Sequence, residues 1–200
     1  MTTKSPGNVD MNVVRWAHAW AAAASQAYEC IDSISIPESP ATESGRRDAM
    51  TMVLVNAVRN VVRGAESSFG KDSELVRRFD IANPNFKDLR DRFEHYEDYV
   101  KGSGFAQRKG SKRCGTPLEL DTPGIEIFAS EGGGTEGHLV CIVVAELGSN
   151  GQPRRMTYRA PSKTITAAAR KLARDMFDEA GVLDEGHLSK CEICANPCNF

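Results

Sequence analysis

Residues 50–62 read MTMVLVNAVRNVV, and they lie within a helical pattern that runs from about Thr42 to Ser68. Apolar residues recur at spacings of three and four and cover much of the circumference of the predicted helix. A helix that is apolar on most of its sides must be covered on most of its sides. We therefore place it at the centre of a bundle and expect the other helices to pack around it.

Four other segments have helical periodicity. The first is predicted to run from the N-cap Asp10 to about Ile31, and the last from about Ser162 to Glu179. Between them, a short helix follows Asp72, with Leu75, Val76 and Phe79 inward, and another runs from Asn83-Pro84 to Gly102. The inward positions expected for the first of these are Val13, Trp16, Ala17, Trp20, Ala24, Ala27 and Ile31. Those expected for the helix after Asn83 are Phe86, Leu89, Phe93, Tyr96 and Val100.

Before the last helix the pattern changes from helical to strand-like. Three short segments, at 125–128, 139–144 and 156–159, are rich in β-forming residues, and glycine-rich or turn-forming stretches separate them. The sequence therefore predicts a mainly α protein, a bundle of four to five helices with a small three-stranded antiparallel β meander at about 125–159. We expect one domain over residues 1–181 and a separate tail over 182–200.

The composition limits the kinds of partner and the cellular compartment that we expect for the protein. The net charge of −2 gives no general attraction to nucleic acid, so any such attraction must come from a local patch. No apolar run reaches the roughly 20 residues that span a bilayer, and Met1 to Asp10 lacks the features of a signal peptide. We expect a cytoplasmic protein with no membrane partner, whose six cysteines are thiols or metal ligands.

A basic loop supplies one local patch. It runs from Phe105 to Pro117, contains no acidic residue, and carries Arg108, Lys109, Lys112 and Arg113. These four cations directly follow the predicted fourth helix. We expect them to contact the phosphate backbone of RNA.

The fourth helix carries the residues with the clearest chemistry. Asp91 lies four positions before His95, a spacing at which two helical side chains meet, and the carboxylate would favour the charged imidazole. Arg90 points roughly 140 degrees away from His95 around the helix. A two-fold dimer that lays this helix against its mate would bring each arginine near the histidine of the other chain.

An arginine and a histidine together suit the cleavage of a phosphodiester. The guanidinium stabilises the extra charge of the transition state, and the imidazole transfers the proton of a 2′-hydroxyl or of the leaving oxygen. Only RNA carries that internal nucleophile, and the reaction needs no metal. These residues predict RNA cleavage without a catalytic cofactor.

The string from Arg90 to His95, RDRFEH, resembles the R-x4-6-H motif of the HEPN superfamily. The resemblance implies a small helical bundle, a homodimer, and metal-independent endoribonuclease activity of a toxin or phage-defence type. It also implies that Arg90 and His95 are the catalytic pair with Asp91 in support. A ribonuclease of the toxin type can have a neutralising protein partner, but the sequence does not show whether this one has.

Two other interpretations of this helix stay open. Arg90 and His95 are common residues on solvent faces, where they would form weak surface ion pairs with Glu94 and Asp91. Alternatively, the protein is a non-catalytic helical protein that binds a protein or RNA partner through the same polar face and the basic loop.

The tail contains the pattern His187, Cys191, Cys194, Cys198. Four nitrogen and sulfur ligands suffice for tetrahedral zinc, and such a closed site would be structural. The tail therefore predicts a structural zinc site, which would make the protein a small zinc-dependent interaction module. Reduced thiols in a tail without metal are the alternative.

Overall fold

In a computed structural model of the protein, the structure describes residues 9–33, 40–108, 116–120, 124–132 and 137–181. The helices in these ranges are α1 (Met11–Ser33), α2 (Pro40–Phe69), α3 (Glu74–Ala82), α4 (Pro84–Glu94), α5 (Tyr96–Val100) and α6 (Ser162–Glu179). The strands are β1 (Ile125–Glu131), β2 (His138–Leu147) and β3 (Pro153–Pro161). The predicted fold class is confirmed: a mainly helical protein with a three-stranded antiparallel sheet before its last helix.

Helix α2 occupies the centre of the bundle, as its sequence predicts. It packs against α1, α6 and β1, with smaller contacts to α3 and α4. Its fully buried apolar residues are Leu54, Val55, Ala57, Val58, Val61, Val62 and Ala65. Removing this much apolar surface from water is the main favourable contribution to folding.

Small residues let α1 and α2 approach closely. Ala17, Ala21 and Ala24 of α1 are fully buried, and Gly64 of α2 faces Ala17. A Cβ atom added to Gly64 would lie 2.6 Å from the Cβ of Ala17. The distance between the two helices is therefore set by the absence of a side chain at position 64.

The β meander lies on the bundle as one sheet in the order β1-β2-β3. Both neighbouring pairs are antiparallel, with Ile127 opposite Ile142 and Val140 opposite Ala160. Val140, Ile142 and Val144 alternate along β2 and are fully buried, so one face of the sheet covers the bundle. Helix α4 contacts β3 and β2, which places the meander directly against the segment with the predicted site.

The predicted fourth helix is divided in two by His95. The backbone of His95 has φ −111° and ψ 27°, and its N–H donates to the carbonyl of Arg92, three residues earlier, instead of four as in an α-helix. After this break, Tyr99 becomes fully buried and Val100 is 38% exposed, whereas a continuous helix would bury Val100. The expectation of one helix from Asn83 to Gly102 is corrected accordingly.

None of the helices in the described part of the chain is both long and apolar enough to span a bilayer.

The close contact between α1 and α2 predicts opposite effects for the same substitution at two glycines of α2. Gly64→Ala should destabilise the protein by about 1–3 kcal/mol because the added methyl overpacks against Ala17. Gly45→Ala, where a Cβ meets nothing within 4 Å, should stabilise it by up to about 1 kcal/mol through helix propensity. Chemical denaturation of both variants measures the difference. A Gly64→Ala protein as stable as the Gly45→Ala protein would contradict the proposed close contact.

Candidate functional site

His95 lies at the junction of α4 and α5, and its side chain is 56% exposed. It lines a shallow pocket of about 370 Å³ together with Met52, Phe93, Glu94, Tyr96, Glu97 and Asp98. The break in the helix turns this histidine to the solvent at the rim of a concave surface. The imidazole is accessible to a large substrate from outside the chain.

The carboxylate beside His95 is that of Asp98. Nδ1 of His95 lies 3.7 Å from Oδ2 of Asp98, which belongs to the first turn of α5. Asp91, the partner that the helical spacing predicts, instead places Oδ1 3.7 Å from Nε of Arg90. Because α4 ends at Glu94, His95 no longer continues the helical geometry that would set it above Asp91.

Arg90 is buried, although the sequence places it at the margin of the polar face. It is 8% exposed, and Nη1 lies 3.8 Å from Oδ1 of Asp80, a residue of α3. Neither of those two atoms has a hydrogen-bond partner among the residues that the structure describes. Arg90 also does not line the pocket that contains His95, so a single chain does not bring the predicted pair together there.

Two arginines of α2 that the sequence predictions do not include contact Glu94, one of the residues that line the pocket. Nε of Arg59 donates to Oε1 of Glu94 at 2.8 Å, and Nε of Arg63 lies 3.7 Å from the same oxygen. Burial alone would raise the pKa of Glu94, but the hydrogen bond and charge of Arg59, with Arg63 and Arg90, lower it. The sequence pattern that could have identified this pair is the four-residue spacing of Arg59 and Arg63, since it places both side chains on one face of α2.

The proposed RNA-binding and metal-binding residues lie mostly outside the described ranges. Arg108 is described, and its Nε donates to the carbonyl of Ser103 at 2.6 Å. Outside the described residues lie Lys109, Lys112, Arg113, His187, Cys191, Cys194 and Cys198. The basic loop and the structural zinc therefore stay predictions.

A second polar cluster, which we call the Arg92 cluster, joins α4 to the meander through Arg92, Glu146 and Tyr158. Nη2 of Arg92 donates to Oε1 of Glu146 at 3.2 Å and to the hydroxyl of Tyr158 at 2.7 Å. The Tyr158 hydroxyl donates to the same carboxylate oxygen at 2.8 Å. The guanidinium carbon also lies 4.1 Å from the centre of the Tyr158 ring, a cation–π contact. Arg92 and Glu146 are 9% and 7% exposed, so this is a buried ion pair with extra hydrogen bonds.

The protonation states in the Arg92 cluster follow from its burial and its charges. Burial opposes the positive charge of Arg92, but Tyr158 and Glu146 outweigh it and raise the pKa of the guanidinium. Burial, the hydrogen bond to Glu146 and its negative charge raise the pKa of Tyr158 to about 12. The phenol therefore stays protonated and acts as a hydrogen-bond donor, which suits a structural role for the cluster.

Comparison with protein-family models, with curated proteins and with solved structures found no match for this chain. The resemblance to the HEPN superfamily therefore stays a prediction that depends on the residues from Arg90 to His95.

The burial of the Arg92 cluster predicts that two glutamates of the meander, Glu146 and Glu126, differ strongly in what their ion pairs with arginine contribute to stability. Glu146→Ala should lower the free energy of unfolding by about 3–5 kcal/mol because it removes the buried counter-charge of Arg92 and leaves only the exposed carboxylate of Asp88. Glu126→Ala removes an exposed pair with Arg155 and should cost less than about 1 kcal/mol. Urea denaturation measures both. Equal losses in the two variants would show that the buried pair does not hold the meander to α4.

Proposed function

We propose that the protein is a metal-independent endoribonuclease of the HEPN type, with His95 as the group that transfers protons. The observation that carries this proposal is the position of His95, half-exposed on a pocket rim, 3.7 Å from Asp98 and next to Glu94, whose carboxylate is bound by Arg59. An accessible imidazole with a nearby carboxylate suits general acid–base catalysis.

In the proposed reaction, neutral His95 takes the proton from a ribose 2′-hydroxyl. The 2′-oxygen attacks the adjacent phosphorus, and the bond from phosphorus to the 5′-oxygen breaks. The leaving 5′-oxygen receives a proton from a water molecule, and the resulting hydroxide takes the proton back from His95. The products are a 2′,3′-cyclic phosphate and a 5′-hydroxyl. Asp98, with Oδ2 3.7 Å from Nδ1, takes the place beside the imidazole that the sequence assigns to Asp91, and it orients the ring when this contact shortens to a hydrogen bond.

The arginine of the pair requires a second copy of the chain in this proposal. Arg90 of one protomer would act on the phosphate at His95 of its partner, which a two-fold axis perpendicular to α4, between residues 90 and 95, allows. The two contacts of Arg90, at 3.7 and 3.8 Å, are longer than hydrogen bonds, and phosphate oxygens would replace them. Met52, Val53 and Val100 are more than a third exposed, and Met52 lines the His95 pocket, so the proposed contact between copies has apolar surface to bury.

The setting follows from the resemblance and is part of the proposal. RNA is the substrate, the loop with Arg108, Lys109, Lys112 and Arg113 contacts its backbone, and the protein acts in the cytoplasm as a toxin or in phage defence. A partner protein that covers the His95 pocket would neutralise it.

The burial of Arg90 favours a second candidate function. An arginine that is 8% exposed between Asp80 and Asp91 stabilises the packing of α3 against α4. In that case the polar face is a binding surface for a protein or RNA partner and has no catalytic activity. The two candidates differ in whether RNA is cut.

Incubation of the purified protein with defined transcripts in chelator tests the proposal. The wild type should cut RNA and leave 2′,3′-cyclic ends, and His95→Ala should lower the rate by at least about 100-fold because general acid–base catalysis is lost. Glu126→Ala, an exposed change on β1, serves as the control and should cut like the wild type. His95 is exposed, so its variant should fold normally, which circular dichroism checks. If the wild type is folded and dimeric but the RNA stays intact, the nuclease proposal is rejected and the second candidate, a non-catalytic binding surface, remains.

Mixing two inactive variants tests whether the site is shared between chains. Arg90→Ala and His95→Ala homodimers should each be inactive in the proposed arrangement. A mixture that exchanges subunits should recover about a quarter of the wild-type activity, because half of the dimers are mixed and each contains one intact site. Arg90→Ala must be shown to fold, since its ion pairs with Asp80 and Asp91 are lost. No recovery after proven exchange would place Arg90 outside a shared site.

A further inference from the structure

A larger concave surface lies at the other end of α2. It is a pocket of about 670 Å³, a size typical of ligand sites, between the first turns of α1 and the last turns of α2. Its lining includes Asn12, Val13, Trp16, Arg63, Glu66 and Lys71. The predictions from the sequence do not use this pocket, which we call the Trp16 pocket.

Trp16 gives the pocket an aromatic wall. The helical pattern of α1 predicts that this residue points inward, but its side chain is 44% exposed. Trp20 packs edge-on against it, with ring centroids 6.1 Å apart and planes at 78°. A large aromatic ring that is held in place and partly uncovered is a suitable surface for stacking another flat ring.

Two cations stand beside this ring. Arg63 has a side chain that is 52% exposed, and Lys71 is exposed just beyond the end of α2. Gly70, with φ 95°, ends α2 in a left-handed conformation, and the chain turns there so that Lys71 reaches the pocket. Glu66 also lines the pocket, so the two cations outnumber the one carboxylate. An aromatic platform with a net positive charge beside it matches a nucleobase joined to phosphates.

The Trp16 pocket and the His95 pocket lie along the same face of α2. Met52, which lines the His95 pocket, and Arg63, which lines the Trp16 pocket, are about three helical turns apart and lie on the same face. Arg59 stands between them on that face, and both arginines contact Glu94, the neighbour of His95. The path along the helix axis is about 16 Å, which a short single strand can follow.

We infer that the Trp16 pocket is a nucleobase subsite for single-stranded RNA. One unpaired base stacks on Trp16, its flanking phosphates contact Arg63 and Lys71, and the strand continues along the Arg59–Arg63 face of α2 to His95. This inference rests on the proposed function, because it names the form of RNA that the site selects. A duplex is excluded, since its bases are already stacked on one another.

Binding of an RNA that cannot be cut tests the subsite separately from cleavage. A fluorescently labelled, unstructured oligonucleotide with 2′-O-methyl groups lacks the nucleophile, and its anisotropy reports binding to the full-length wild type. We expect Trp16→Ala to weaken binding about tenfold or more, and Trp16→Phe to keep most of it because the ring remains. Ile81→Ala, a change at an apolar residue of α3 that is 72% exposed, is the matched control and should bind like the wild type.

Three results would overturn the inference. They are equal binding by Trp16→Ala and the wild type, equal affinity for the corresponding duplex, and an affinity for the free mononucleotide as high as that for the strand. The last result would mark a small-molecule site. Strand binding that depends on Trp16 without any cleavage of natural RNA would keep the subsite and reject the nuclease. Cleavage of natural RNA, together with binding that does not depend on Trp16, would keep the nuclease and reject the subsite.

Discussion

The guanidinium of Arg92 has been taken out of water, and its charge must be met within the protein. Glu146 of β2 and Tyr158 of β3 meet it, and the side chain of Asp88 lies 3.3 Å away on the solvent side. A buried ion pair stabilises the folded protein little more than a well-packed apolar contact would, but removing one of its partners lowers the stability strongly. The pair therefore fixes one alignment of the meander on α4, and other alignments would leave a buried charge unmatched.

The position of His95 follows from that alignment. Helix α4 is held by the meander through Arg92 and by α3 through the contact of Arg90 with Asp80. Three residues after Arg92 the helix breaks, and Tyr99 is fully buried behind the break while its ring packs edge-on against Phe105. With α4 fixed on one side and Tyr99 on the other, His95 is left at the outward corner, where its side chain reaches solvent.

The sequence predicted the fold well because the fold depends on patterns within single segments. The all-round apolar pattern of residues 50–62 was enough to place α2 at the centre, and the three β segments were enough for the meander. The site was predicted less well because it depends on partners far along the chain. Arg92 and Glu146 are separated by 54 residues, and neither has a local signal for burial. The break at His95 has no proline or glycine to mark it, and Arg90 is covered by a residue of another helix, which periodicity alone does not reveal.

The third strand begins and ends with a proline, at Pro153 and Pro161, and carries the exposed arginines Arg154, Arg155 and Arg159 between them. In the described part of the chain it is paired on one side, by β2. A strand with an open edge is a template on which another strand can add, and repeated addition leads to aggregates. Proline has no N–H to offer an incoming strand. Arg154 and Arg159 repel a second copy of the same strand, whereas the charge of Arg155 is paired with Glu126. This edge of the meander therefore carries two features that disfavour the addition of another strand.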